Sequence, residues 1–207
     1  PSAPGGHAAA AADAPPAPAV VLRPYQAECV ETCLAALCRG VSRIGVSSPT
    51  GSGKTTMFTE LLHRMPSPPG CSGQVLILVN AVALAEQAAA TVRRILPHLS
   101  LELEQGTKHK ASGVADVTVA TVQSICRPNR LEKYDPARFK CVIVDEAHHS
   151  TSASYRSVLA HFNNGVRVGD AEAGEVAPQA LLPVEQHPFA LQGDRVGEQA
   201  AAGRCGD

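Results

Sequence analysis

The sequence predicts an α/β domain built on a mostly parallel sheet, and three observations favour this fold. Short apolar runs alternate with helical patterns through the middle of the chain. Each strand-like run is apolar throughout, as is typical of strands covered on both faces. The chain has 207 residues, of which 44% are hydrophobic, so it can bury the core of one such domain. Its formal net charge of −1 excludes a protein that binds nucleic acid through a strong overall basic field.

The first elements are predicted from periodicity and from residues that end helices. In the helix 24–38 apolar residues recur at about every fourth position, and Gly40 follows as a stop signal. The strand 43–47 leads into a glycine-rich turn, and the helix 54–65 is closed by Pro66. The pattern in this part of the chain therefore predicts a helix, a strand, a turn and a second helix, in that order.

The later elements repeat the same alternation. VLILV at 75–79 is a buried strand, and the helix 84–96 ends before Pro97. Three more strands and one helix follow, at 101–104, 117–120, 141–145 and 154–162. Strands that alternate with helices in this way favour a parallel sheet with helices on both faces.

Both ends of the chain differ from this pattern. Residues 1–20 are rich in Ala and Pro, and we expect them to be disordered. Residues 163–207 lack a sustained period, and we expect a poorly ordered tail. The seven cysteines include no C-x-x-C pair, which indicates reduced thiols in an intracellular compartment. The longest apolar stretch, 75–85, is too short to span a membrane, so no membrane partner is expected.

The glycine-rich turn has the pattern of a phosphate-binding loop. Its sequence SPTGSGKT lies between a strand and a helix, where backbone N–H groups and the helix N-terminus can face phosphates. Lys54 would bind the β and γ phosphates of ATP, and the Thr55 hydroxyl would hold Mg²⁺. Ser48 replaces the first glycine of the strict pattern, and the alternative is a plain glycine-rich turn. The predicted nucleotide contacts are Pro49, Thr50, Gly51, Ser52, Gly53, Lys54, Thr55 and Thr56.

A second motif, VIVDEAH, ends the strand 141–145. Adjacent carboxylates at the end of a buried strand are costly unless they serve a cation or a proton transfer. Asp145 suits Mg²⁺, and Glu146 could orient and deprotonate an attacking water. With Lys54, these residues form the predicted catalytic set; the alternative for an isolated Asp-Glu pair is a solvated strand end.

Taken in order, RPYQ, SSPTGSGKT and VIVDEAHH resemble the superfamily-2 DEAH-type helicases of the UvrB/type III restriction subunit group. LILVNAVALAEQAAA, EQGTKHKASGVADVTVATVQSI and SYRSVLAHF are similar to one branch, the fungal mitochondrial ATP-dependent helicases that act on branched DNA. The resemblance covers about residues 21–162. It implies a RecA-like P-loop NTPase lobe, ATP and Mg²⁺ as cofactors, DNA as the partner and a mitochondrial location, with a monomer expected.

The resemblance also implies roles for individual residues. Gln26, with Arg23 nearby, would read the adenine base, and His148 would couple the nucleotide site to the nucleic-acid site. Thr121 and Gln123 would lie on the side that faces DNA. The alternatives are that Thr121 caps a helix and that Gln123 is only a surface residue. A basic loop at 108–110 could contact phosphate or could simply be solvated.

Two features of the helicase family are missing from the sequence. Residues 163–207 are too few for a second RecA-like lobe, and no Ser/Thr-Ala-Thr motif follows VIVDEAH. The strand that leads to that motif normally lies between the other two motif strands, so we expect an incomplete domain with a central gap. Only 166–168 and 189–191 offer weak substitutes.

The predicted function is the N-terminal ATP-binding part of a DNA helicase, with weak ATP and DNA binding and little or no unwinding by this chain alone. The alternatives are a non-catalytic fragment that binds nucleotide or nucleic acid, an RNA-acting or restriction-type ATPase, and a fragment that does not fold.

Overall fold

The computed structural model describes residues 21–49, 51–145, 152–162, 166–170, 181–182 and 191–195. Within these ranges, the strands are β1 (Val41–Val46), β2 (Gln74–Val79), β3 (Leu101–Glu104), β4 (Val117–Thr121), β5 (Phe139–Val144), β6 (Val166–Asp170), β7 (Leu181–Leu182) and β8 (Leu191–Arg195). The α-helices are α1 (Pro24–Cys38), α2 (Lys54–Arg64), α3 (Val82–Ile95), α4 (Val122–Ile125), α5 (Pro128–Leu131) and α6 (Ala153–His161).

The predicted bounds of the elements agree closely with those of the structure. The helix α1 has the predicted bounds, and the chain turns at Gly40 with φ of 83°. The helix α3 begins two residues earlier than predicted, at Val82, and β5 begins at Phe139 instead of Cys141. A short 3₁₀ turn, Pro136–Arg138, precedes β5 and brings the chain to the sheet.

The described strands form one sheet in the order β3-β4-β2-β5-β6-β1-β8-β7. All neighbours from β3 to β1 are parallel, whereas β8 pairs with β1 and with β7 in antiparallel fashion. The α/β class and the mostly parallel sheet predicted from the sequence are confirmed. Because the six parallel strands run the same way, their carboxyl ends lie along one edge of the sheet.

The central gap expected from the sequence is filled. The strand β6 lies between β1 and β5, with Val168 opposite Ile44 on one side and Ile143 on the other. Val168 is fully buried. The stretches of β6, β7 and β8 come from the tail 163–207, for which the sequence predicted little order. The short sequence VRV is by itself only a weak indication of a strand. Between β1 and β5, however, its backbone can form hydrogen bonds on both sides, and this favours a strand there.

Each face of the sheet carries a hydrophobic core. On one face α1, α2 and α3 pack through residues such as Val30, Leu61 and Ala89. On the other face α4, α5 and α6 surround a cluster that includes Tyr134 and Phe162. The strand β2 is buried along its whole length between the two layers, which explains its continuous apolar run.

In the described part of the chain, no helix is both long and apolar enough to cross a lipid bilayer.

Candidate nucleotide-binding site

The glycine-rich loop joins β1 to α2 at the carboxyl edge of the sheet. Gly51 has φ of 79°, and Gly53, which begins α2 as its N-cap, has φ of 82°. Residues with a Cβ rarely adopt this conformation. A Cβ on Gly53 would also lie 2.5 Å from Gln26 Nε2. The loop therefore needs glycine at position 53 both for its backbone conformation and for its contact with α1.

Lys54 directs its ammonium group back across this loop. Its Nζ donates to the Ser48 carbonyl oxygen at 3.1 Å. The Ser48 side chain is buried, and its hydroxyl is within hydrogen-bonding distance of the Ser52 hydroxyl. Serine in place of the first glycine is thus accommodated inside the loop, and the Lys54 ammonium group lies against the loop backbone. Its phosphate contact stays a prediction.

The start of α1 is bonded to the same loop. The Ser52 carbonyl oxygen accepts hydrogen bonds from Tyr25 Oη at 2.9 Å and from Gln26 Nε2 at 2.8 Å. Gln26 Oε1 in turn accepts from the Arg23 backbone N–H at 2.9 Å. Gln26 is buried and uses both ends of its amide, so it couples the entry of α1 to the loop.

Arg23 is exposed at the N-cap of α1, and its Nη1 lies 3.3 Å from Tyr25 Oη. The adenine contact expected of Gln26 and Arg23 stays a prediction. Sequence reasoning missed Tyr25 as part of the site, because it was assigned to the apolar face of α1. The sequence feature that could have indicated its role is its position directly before Gln26, a predicted site residue.

The carboxylate predicted to hold Mg²⁺ lies along the same edge. Asp145 directly follows β5, is half-buried, and its backbone N–H donates to the Leu78 carbonyl oxygen at 2.9 Å. Only β6 separates β5 from β1, so the axes of these two strands are about 10 Å apart. Thr55 is half-buried in the first turn of α2, at the same edge. The structure therefore places Asp145 on the same edge of the sheet as the start of α2.

Several predicted site residues lie outside the described residues, namely Thr50, Glu146 and His148. Pro49 is exposed, while Ser52 and Thr56 are half-buried beside the loop.

The two residues predicted to face DNA lie farther along this edge, at the end of β4. Thr121 is buried at the N-cap of α4, and its hydroxyl donates to Ser124 Oγ at 2.8 Å. Gln123 is exposed, and its Nε2 donates to the Asn80 carbonyl oxygen at 3.0 Å. The Thr121 hydroxyl thus stabilises the start of α4. Gln123 links the ends of β4 and β2 at the surface.

Comparison with known proteins identifies the family of the chain. Residues 19–169 match the model of the type III restriction enzyme, res subunit. The chain belongs to this family. The match runs past Phe162, where the resemblance was expected to stop, and includes most of β6.

Curated relatives from two yeasts show the same relationship. Over 144 residues the chain is 48% identical to the putative mitochondrial ATP-dependent helicase irc3 of Schizosaccharomyces pombe, covering 70% of this chain and 23% of that protein. It is 42% identical over 148 residues to the putative ATP-dependent helicase IRC3 of Saccharomyces cerevisiae, covering 70% of this chain and 21% of that protein. The resemblance to superfamily-2 helicases is thereby confirmed. The chain spans less than a quarter of either relative.

Solved structures confirm the RecA-like fold of the lobe. The Sulfolobus solfataricus SWI2/SNF2 ATPase core in complex with double-stranded DNA superposes with a TM-score of 0.60 at 16% identity, covering 74% of this chain and 32% of that chain. The UvsW helicase of bacteriophage T4 gives a TM-score of 0.53 at 22% identity, covering 74% and 53%.

Proposed function

We propose that this chain is the ATP-binding lobe of a DNA helicase and that it binds Mg·ATP at the edge formed by the loop and Asp145. The observation that supports this most strongly is the position of the Lys54 ammonium group inside a loop with positive-φ glycines. Asp145 on the same edge adds a carboxylate of the kind that Mg²⁺ prefers.

The residues present fit the chemistry of a nucleotide. Backbone N–H groups at the start of α2 and the Lys54 ammonium would bind the phosphates. The Thr55 hydroxyl and the Asp145 carboxylate would hold Mg²⁺, which neutralises the charge of the phosphates during phosphoryl transfer. Glu146 would orient the attacking water, and His148 would couple the nucleotide site to the nucleic-acid site.

DNA is the proposed nucleic acid, and a mitochondrion the proposed compartment. Support for DNA comes from a structural neighbour in complex with double-stranded DNA. Support for the compartment is the word mitochondrial in the name of the Schizosaccharomyces pombe relative. The resemblance implies that a second lobe supplies an arginine finger, whose loss costs about 10³–10⁵ in rate in related P-loop enzymes. We therefore expect slow hydrolysis by the chain alone.

The test is binding of a fluorescent ATP analogue with Mg²⁺ by the purified chain and by Lys54→Ala. We expect affinity to fall at least about tenfold, since the change removes a charged partner of the phosphates. Lys133→Ala is the matched control, because Lys133 is exposed and lies in the segment between α5 and β5, away from the loop. Equal affinity of the parent chain and Lys54→Ala would exclude this site. Duplex unwinding by the chain alone would contradict the expectation that it unwinds DNA little or not at all.

A further inference from the structure

A short basic hairpin, residues 105–110, follows β3 and is not explained by nucleotide binding. Gln105 and His109 pair through their backbones, with N–O distances of 3.0 Å and 3.3 Å. The turn between them includes Gly106 with φ of 56°. Lys108, His109 and Lys110 are all exposed. The sequence left open whether this stretch contacts phosphate or is a solvated loop.

Both ends of the basic hairpin are fixed by one buried ion pair. Glu104, which is fully buried, pairs with Arg130 Nη1, and Arg130 Nη2 donates to the Gly106 carbonyl oxygen at 2.6 Å. The second carboxylate oxygen of Glu104 accepts from the Ala111 backbone N–H and from Tyr134 Oη, each at 3.1 Å. Burial and the Glu104 carboxylate raise the pKa of the Tyr134 phenol, so it remains a donor.

Burying an ion pair to hold a surface loop costs free energy. Removing two charges from water costs several kcal/mol per ion, and buried ion pairs often add no net stability over apolar residues of similar volume. The best supported use of a buried pair is to fix one arrangement. Here the arrangement that Glu104 and Arg130 fix is the position of the hairpin.

The basic hairpin is held beside the surface that carries Gln123. The Gly106 backbone N–H donates to Ser124 Oγ at 2.8 Å, and the same oxygen accepts from the Thr121 hydroxyl. Gln105 Nε2 donates to the Glu86 carboxylate of α3 at 3.4 Å. The two lysines therefore lie at the carboxyl edge of the sheet, next to the end of β4.

We propose that the basic hairpin contacts the phosphates of a nucleic-acid strand that crosses this edge. Lys108 and Lys110 are the donors, and Glu104 and Arg130 are positioning residues. Exposed lysines on a polar turn suit phosphate groups better than the apolar core of a protein interface. The inference rests on the proposed function, since it assumes that this lobe binds nucleic acid.

The experiment measures the affinity of the full chain for a fluorescent DNA duplex over a series of salt concentrations. Each lysine that neutralises a phosphate contributes about 0.9 to the slope of log K against log salt concentration. The variant Lys108→Ala/Lys110→Ala should therefore lose about 2 from the slope and bind about tenfold more weakly at low salt. A fluorescent ATP analogue should bind this variant as it binds the parent chain.

A matched control removes the same charge from the opposite edge. Arg93 and Arg94 are exposed at the end of α3, which follows the carboxyl end of β2 and returns to the amino edge. Arg93→Ala/Arg94→Ala should leave the slope within about 0.5 of the parent value. An unchanged slope in the lysine variant, or an equal loss in both variants, overturns the inference while leaving the proposed function in place. No DNA binding by the parent chain overturns both.

The positioning role is tested with Arg130→Lys, which keeps the charge but loses the planar fork that spans Glu104 and Gly106. If Arg130 positions the hairpin, the salt slope falls by about 1–2 although both lysines are present. If Arg130 only stabilises the fold, the midpoint of thermal unfolding falls while the slope stays unchanged, and this outcome overturns the positioning role.

Discussion

At the scale of single residues, the proposed nucleotide site depends on a contact that sequence spacing does not reveal. The motif identifies Gly53, but the atom that a Cβ at this position would displace is Gln26 Nε2, which lies in α1. The Ser52 carbonyl between them accepts from Tyr25 and from Gln26. The entry of α1 and the loop therefore form one unit.

Gly53→Ala should destabilise the chain more than Gly51→Ala. Both changes force a Cβ into a positive-φ conformation, which costs about 1–2 kcal/mol. A Cβ on Gly51 meets nothing within 4 Å, whereas that on Gly53 must displace Gln26 Nε2. We expect a further loss of about 1 kcal/mol at position 53, measured by denaturant unfolding without nucleotide.

A double-mutant cycle separates strain from the contact. In a Gln26→Ala background the extra cost of Gly53→Ala should disappear, which corresponds to a coupling energy of about 1 kcal/mol. Additive effects of Gln26→Ala and Gly53→Ala would show that the close contact carries no energy.

At the scale of elements, local sequence patterns predicted most of the sheet and both motifs. The bounds of α1 were correct because periodicity and Gly40 act within the helix itself. The strand β6 was predicted only as the weak candidate 166–168, because its place depends on β1 and β5, which are far away in sequence. The same limit applies to the site: Lys54 and Asp145 were found from motifs, whereas the role of Tyr25 depends on where Ser52 lies.

The Asp116 carboxylate joins the starts of β3 and β4, and its contribution to the free energy of unfolding should depend on pH. Ser100 donates to Asp116 Oδ2 from its hydroxyl at 2.7 Å and from its backbone N–H at 2.8 Å. These hydrogen bonds, the hydroxyl first, lower the pKa of Asp116 below its ordinary value of 3.8. Because the pKa is lower in the folded state, the stabilisation is complete above pH 3.8 and is lost as the pH falls through the folded value.

Asp116→Asn should therefore reduce the free energy of unfolding at pH 7 by about 0.5 kcal/mol, a small amount because solvent screens this exposed group. The difference between variant and parent should shrink below pH 3.8, measured by urea unfolding at several pH values. In a Ser100→Ala background the effect at pH 7 should be smaller. A difference that is constant from pH 7 to pH 2.5 would contradict the assigned cause.

At the scale of the whole molecule, the sheet is continuous because β6 lies between β1 and β5, the two strands that lead to the proposed nucleotide site. Its residues pair with β1 on one side and with β5 on the other, and Val168 is fully buried between them. Without β6, both neighbours would expose backbone N–H and C=O groups in the middle of a buried sheet, at about 1–3 kcal/mol for each unpaired group. Domains of this size have only about 5–15 kcal/mol of stability in total.

We therefore expect a chain shortened after Phe162 to lose cooperative unfolding and its near-ultraviolet circular dichroism signal. A chain shortened after Asp170 keeps β6 and should retain both, since it loses only the strands beyond β1 at the side of the sheet. Comparing the two separates the need for β6 from the general effect of removing the tail. If both shortened chains unfold cooperatively at the same urea concentration, β1 and β5 do not depend on β6, and the distance between the loop and Asp145 must be set by other contacts.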